Sequence, residues 1–301
     1  MIFCLSFADS RLKRSLARLD KQAKALSLFD GIYFLDETHL GAEFSTRFKD
    51  KLKFGSRGYG YWIWKPYIIA NTLSTMSEGD SLLYLDAGCH LNIEGKKRLI
   101  EYFELLKESK TGILAFQENS PNTKLKHDGH QLHDRPNYHW IKGDVFDYFG
   151  VREDPDFTHA QSFTACIILV RKCKAAVEII DEWQSITTSN FSLLDDTPSR
   201  SRNLEGFIEH RHDQAIFSLL CIQHKVMSLS SQETWYPKRF SAGQLTPSIS
   251  LKPDWDALKY FPIHAKRDKD LGPLITLKTK LKSGIRKIFK LIKKMNNKPL
   301  D

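Results

Sequence analysis

The sequence predicts an α/β fold: a mostly parallel central sheet flanked by helices, followed by a basic amphipathic helix. Three observations carry this. The chain opens strand-helix-strand, because apolar runs over 2–7 and 31–35 bracket a segment where Leu12, Leu16, Leu19, Ala23, Leu26 and Phe29 recur at helical spacing. Such an opening builds a parallel pair joined by a right-handed crossover. A later run, Ser81-Leu82-Leu83-Tyr84-Leu85, is almost wholly apolar, which marks a strand buried on both faces. In the last thirty-one residues Leu274, Leu277, Leu281, Ile285, Ile288, Ile292 and Met295 repeat every three or four positions with lysines between them. That pattern fits an interfacial helix on an anionic lipid surface, or a helix packed on the body with its lysines in water.

With 301 residues, 41% hydrophobic and 12% aromatic, the chain can bury a full core. The expected division is one domain over 1–270 and a tail over 271–301. The formal charge is +9, but nine Lys and Arg against Asp301 alone give the tail +8 and leave +1 for residues 1–270. A nearly neutral body argues against a nucleic-acid groove and makes the tail a local electrostatic device. Five cysteines, none in a CxxC pair, suggest reduced core thiols. There is no basic leader and no run of about 20 apolar residues, so a cytoplasmic location is expected.

Each element then follows in order. The strand over 2–7 ends in Ala8-Asp9. The stretch Arg57-Gly58-Tyr59-Gly60-Tyr61-Trp62-Ile63-Trp64-Lys65-Pro66 combines glycines that admit close backbone approach, aromatic faces, and two cations for an anionic ligand. Most of its rings are read as core; Arg57 and Lys65 are the candidate ligand contacts. Pro66 suits the first turn of a helix running to about residue 76. The central run ends on Asp86-Ala87-Gly88. Open α/β sheets bind ligands outside the carboxyl ends of their strands, so a carboxylate there faces a ligand or a metal, or else closes the strand in a turn. A strand is expected over 112–117. Next come His127, Asp128, His130, His133, Asp134 and His139, read as a covering loop, with metal ligation as the lesser alternative. A strand over 166–170 and a helix over about 172–183 follow, then a Ser/Thr/Asp-rich loop over 184–203. Asp213-Gln214 heads an apolar helix. Asp213 either caps it or works on a ligand, and His210, Arg211 and His212 beside it favour the second.

Leu83-Tyr84-Leu85-Asp86-Ala87 resembles the "LYLDAD" strand end of GT-A nucleotide-sugar glycosyltransferases, especially the glycogenin and lipopolysaccharide galactosyltransferase group. Asp213-Gln214 is similar to their "DQD-x-LN" element, and Phe261-Pro262-Ile263-His264-Ala265-Lys266 to their closing "H-x-G-x-x-K" motif. Trp140-Ile141-Lys142-Gly143-Asp144-Val145-Phe146 resembles a "W-x-K-x-D-x-F" segment of surface-polysaccharide glycosyltransferases. The resemblance implies a GT-A, Rossmann-like, mixed and mostly parallel sheet. It places Phe7, Ala8, Asp9, Arg57, Lys65, Asp86, Ala87 and Gly88 at the nucleotide and its diphosphate, Gln161 and Ser162 at the donor sugar, and Lys266 on the diphosphate. Asp213 and Gln214 fall at the reacting carbon. Asp86 and His264 would hold Mn²⁺ or Mg²⁺, although Gly88 stands where the family has a second aspartate. The implied function is transfer of a hexose from a nucleotide-sugar, a UDP-sugar first, to a glycan or lipid-linked acceptor in bacterial surface-polysaccharide synthesis. The enzyme would be peripheral on the inner membrane face through residues 274–295. Two other classes stay open: a metal-dependent phosphoesterase using His210, His212, Asp213 and Asp86, and a catalytically silent nucleotide-sugar- or membrane-binding protein.

Overall fold

All five residues of Ser81–Leu85 (β3) are buried, and in this computed structural model, which describes residues 1–124, 135–235 and 255–269, the strand lies inside a six-stranded sheet. The other strands are Ile2–Phe7 (β1), Gly31–Leu35 (β2), Ile113–Gln117 (β5), Phe163–Arg171 (β6) and Met227–Ser230 (β7), in the order β2-β1-β3-β6-β5-β7. β1 pairs parallel with β2 and β3, and β5 parallel with β7; β6 alone runs against its neighbours β3 and β5. The sheet is therefore mixed and mostly parallel. A short pair, His90–Leu91 (β4) with Ile263–His264 (β8), stands apart from it.

Alternation along the strands sorts the side chains into two cores. Leu82 and Tyr84 face one cluster with Ile168, Val170, Ile113 and Ala115; Leu83 and Leu85 face the other with Ile167, Leu169, Leu114 and Phe116. The first is covered by helices Trp64–Thr75 (α2), Gly143–Phe149 (α4), Lys174–Ser189 (α5) and Asp213–Gln223 (α6). The second is covered by Lys13–Leu26 (α1) and Lys96–Glu108 (α3). Helices on both faces explain why the central strands read as continuous apolar runs.

One expectation is corrected. Residues 184–189, read as loop from their Ser and Thr content, extend α5, because Ile186 and Thr187 are buried on its inner face. The histidines and aspartates at 127–134 and the tail over 271–301 lie outside the described residues. No helix among the described residues is long and apolar enough to cross a membrane.

A buried ion pair fastens the turn that follows β7. Glu233 is fully buried and accepts from Arg98 Nε (3.0 Å) and Nη2 (2.9 Å), Tyr102 Oη (2.6 Å), Thr123 Oγ1 (2.9 Å) and the Lys124 amide (2.9 Å). Glu233→Gln keeps the shape but weakens the charge-assisted bonds, and is expected to cost about 1–3 kcal/mol in denaturant unfolding.

Candidate active-site cleft

The carboxyl ends of β1, β3, β5 and β7 and the amino end of the reversed β6 meet at one edge of the sheet, where a cleft of about 560 Å³ opens. Phe7, Asp9, Asp86, Glu118, Thr164 and Ser231, each at or just beyond a strand end, line it. A depression of equal volume is lined by one continuous segment, Asp147 to Pro155, and draws no residue from the sheet.

Lys65 is the polar centre. It enters from the first turn of α2 and is only 2% exposed. Its Nζ lies 2.6 Å from Asp213 Oδ2 and 3.2 Å from Asp86 Oδ1, and donates to the Ala165 carbonyl at 3.0 Å. That carbonyl is accessible because the β5–β6 ladder slips: Ala115 faces Ile168, yet the next residue, Phe116, faces Thr164. The slip takes residues 165–167 out of the pairing with β5, as a bulge does. Tyr84 Oη donates to Asp86 Oδ1 at 2.6 Å.

Charge follows from this geometry. Burial works against the Lys65 ammonium, but the carboxylates of Asp213 and Asp86 outweigh it and hold its pKa above the usual range. At Asp213, burial dominates and the Asp86 charge adds to it, so despite Lys65 its pKa is pushed up to about 6. The two carboxylates and one ammonium leave a single negative charge on the cleft floor when both acids are ionised.

Asp213 is the first residue of α6 and 4% exposed. Its side chain serves Lys65; the helix has no side-chain cap, and His212 precedes it with φ 53° and ψ −126°. A β-carbon-bearing residue held there stores strain, which tertiary contacts must offset. His212 Nδ1 meets the Leu194 carbonyl at 2.8 Å and His210 Nε2 the Leu193 carbonyl at 2.8 Å, so each ring carries its proton on that nitrogen. Burial lowers both pKa values. The two histidines thus anchor the turn around Leu193 and Leu194, and among the described residues they do not gather with Asp86 into a group that could hold a metal. Lys142 completes the anchor by donating to the carbonyls of Ser192, Asp195 (2.9 Å) and Thr197 (3.2 Å), while Asp144 accepts from the amides of Arg200 and Ser201. The Trp140–Phe146 segment is accordingly a clamp on the loop over 192–201.

The aromatic stretch forms the opposite wall. Tyr59, Tyr61 and Trp62 have φ of 51°, 56° and 61°, and Gly55, Gly58 and Gly60 are also left-handed. Gly58 admits the tight turn because a β-carbon there would sit 2.4 Å from the Trp62 ring. Arg57 lines the cleft and pairs with Asp196 at 3.2 Å.

Of the residues singled out from the sequence, the cleft brings together Phe7, Ala8, Asp9, Arg57, Lys65, Asp86, Ala87, Gly88, Asp213 and Gln214. Asp9 is engaged by Arg11 at 2.6 Å. Four others lie outside its lining. Gln161 Oε1 accepts from the Arg135 amide at 2.7 Å, and Ser162 Oγ donates to Asn137 Oδ1 at 2.9 Å, so both hold the 135–137 segment. His264 is buried in β8 with Nε2 3.1 Å from the Leu258 carbonyl, and the Lys266 amide donates to the His264 carbonyl at 2.8 Å. The cleft also contains Glu118, Arg135 and Arg267, to which the sequence reading assigns no role, and Arg211, noted there only as a neighbour of Asp213. Arg211 and Arg135 both sit over the Trp140 ring, at 4.4 and 5.5 Å from its centroid. Burial, helped by its arginine neighbours and opposed by the Glu209 carboxylate, lowers the Arg211 pKa to about 10.

No protein-family model and no curated protein sequence matches the chain. Among solved structures it is similar to mouse xyloside xylosyltransferase 1 in its apo form, at 11% identity over 88% of this chain and 96% of that one, with a TM-score of 0.42. It is also similar to the galactosyltransferase LgtC in complex with donor and acceptor sugar analogs, at 12% identity over 88% and 86% of the two chains, with a TM-score of 0.40. A third likeness, to a glycosyltransferase involved in glycosylation of the major capsid of PBCV-1, has 12% identity over 69% and 80%, with a TM-score of 0.34.

Proposed function

We propose that the chain is a GT-A-type glycosyltransferase that moves a hexose from a nucleotide-sugar, a UDP-sugar first, to a glycan or lipid-linked acceptor in bacterial surface-polysaccharide synthesis. The observation that carries this reading is the convergence of Asp86, Lys65 and Asp213 on the floor of a cation-lined cleft at the carboxyl edge of the sheet. Transfer breaks the bond between the anomeric carbon and a diphosphate oxygen, whose electron pair leaves with the nucleotide. The acceptor hydroxyl supplies the new oxygen and gives up its proton.

Asp213 positions that hydroxyl and takes the proton when ionised, a role suited to a carboxylate whose pKa has risen toward neutrality. Gln214 contacts the sugar beside it. Phe7, Ala8, Asp9, Arg57, Ala87 and Gly88 form the nucleotide side of the cleft. The Asp-Gln similarity favours retention of configuration at the sugar. The phosphoesterase alternative loses support, because among the described residues His210, His212, Asp213 and Asp86 are not grouped to hold a metal ion.

The test is incubation of the full chain with UDP-, GDP- and CMP-sugars, scoring released nucleotide and glycosylated product. Turnover of one donor is the expected result. Hydrolysis of a simple ester such as p-nitrophenyl phosphate, with no donor turned over, would restore the phosphoesterase, and nucleotide binding without turnover would restore the silent binder.

The tail extends the same proposal to a membrane surface. Its cations are worth about 1 kcal/mol each near anionic lipid, so the full chain is expected to float with phosphatidylserine or cardiolipin vesicles but not with phosphatidylcholine. A chain ending at residue 270 should stay unbound to both.

A further inference from the structure

We propose that this cleft neutralises its nucleoside diphosphate with guanidinium groups, Arg267 together with Arg135 and Arg211, and not with a divalent metal ion. The proposal rests on the transferase reading above and names the chemistry of its donor site.

The starting point is Gly88. A side chain at this position would begin 3.1 Å from Arg267 Cα, 3.3 Å from its carbonyl carbon and 3.4 Å from the Asp268 nitrogen. The Asp268 amide also donates to the Gly88 carbonyl at 3.1 Å. A second carboxylate would therefore have to start tight against the backbone of residues 267–268, which would need to give way to admit it. Asp86, the remaining carboxylate, already has Oδ1 accepting from Tyr84 and lying against Lys65. His264, the other ligand the resemblance implies, bonds to the Leu258 carbonyl and does not line the cleft. Among the described residues no three His, Cys, Asp or Glu side chains are grouped to hold a metal ion. The donor set present does not fit one.

The segment that crowds a carboxylate here also brings in a cation. The segment lying on Gly88 delivers Arg267 and Lys269 to the cleft wall. Arg267 has φ 53°, a left-handed conformation that a side-chain-bearing residue adopts only when its neighbours enforce it. Here the Asp268 amide on Gly88 and the Lys266 amide on the His264 carbonyl fix it from both sides. Arg135 reaches the same wall, its backbone tied to Gln161 at 2.7 Å, and Arg211 shares the Trp140 ring with it. Glu209 pairs with Arg211 at 2.8 Å and Glu118 lies 3.8 Å from Arg135, and beside these carboxylates Arg135 and Arg267 still each disfavour the charge on Arg211. A dianion seated among them relieves that repulsion, and planar N–H forks match phosphate oxygens. When the anomeric C–O bond breaks, the electron pair moves onto the diphosphate and no proton is required from the arginines, which remain cationic.

The experiment is calorimetric titration and thermal melting of the full chain with UDP, GDP, CDP and CMP, once in excess EDTA and once with MnCl₂. The expected result is that one diphosphate nucleotide binds with equal affinity in both conditions. Arg267→Ala should weaken that binding about 10- to 100-fold, as loss of charge-assisted bonds does. Arg267→Lys, which keeps the charge and the fold but loses the fork, should fall between, and both variants should melt without ligand as the parent does. Binding that requires MnCl₂, or arginine variants that bind as the parent, overturns the proposal. Binding of no nucleotide in either condition overturns the transferase reading itself, and this assignment with it.

Discussion

Lys65→Met is expected to lower stability by about 3–5 kcal/mol and to abolish transfer. The ammonium is the only cation within contact of both Asp86 and Asp213 among the described ion pairs, and its removal leaves two carboxylates and the Ala165 carbonyl facing one another in a buried site. Breaking one partner of such an arrangement costs more than the arrangement contributes, because the residual charges stay desolvated. The variant should recover stability as pH falls, since protonation relieves carboxylates that have lost their cation. Asp213→Asn placed on the Lys65→Met background should restore part of the loss at neutral pH. Urea unfolding of the four proteins closes the cycle, and strict additivity of the two substitutions would sink this account.

Asp213→Asn on the parent background is expected to reduce transfer about 10²- to 10⁴-fold while the fold persists. In the parent, kcat/KM should rise with pH through about 6, as the raised Asp213 carboxyl ionises. Stability should move the other way. The folded carboxyl keeps its proton to about 6 whereas the ordinary value is 3.8, so between these pH values the folded state binds more protons and stability falls as pH rises. Lys65 contributes no slope in that window, because its pKa is raised from an already high value. The substitution should flatten the Asp213 component of both profiles. A pH–rate curve for Asp213→Asn that keeps the parent's rise would place the ionising group elsewhere.

The elements visible in the sequence are those for which burial alone decides. Ile2–Phe7 and Ser81–Leu85 are apolar runs at predictable positions, and helices on both faces of the sheet leave them little alternative, whereas the half-exposed edge strand Gly31–Leu35 is legible from its place after the amphipathic helix. Asp86 and Asp213 stand out as polar residues beside apolar runs, and the fold places them on one Lys65 ammonium. The reversed direction of β6 has no such signature. Residues 165–170 read as an uninterrupted apolar run, and neither their order nor their composition tells which way the strand is laid or where its ladder slips. His210 and His212 look like a chemical cluster because they flank the Asp-Gln pair, yet the fold uses them to hold a turn that lies far back in sequence. Arg135, Arg211 and Arg267 lie on three segments far apart in sequence. Only tertiary closure makes them neighbours, so spacing could not select them.

The closure at Gly88 has a consequence for when the protein becomes a working object. His90 and Asp268, 178 positions apart, meet at 3.2 Å, and β4 has β8 as its partner strand. During synthesis the first two hundred residues can lay down the strands β1, β3, β5 and β6, but the cleft still lacks the wall that carries Arg267. Contacts of such long separation form late and slowly. An interrupted or clipped chain that ends before residue 262 would therefore possess Asp86, Asp213 and Lys65 while lacking the wall that carries Arg267. Coupling the cleft to residues 262–268 makes their synthesis a condition of its closure.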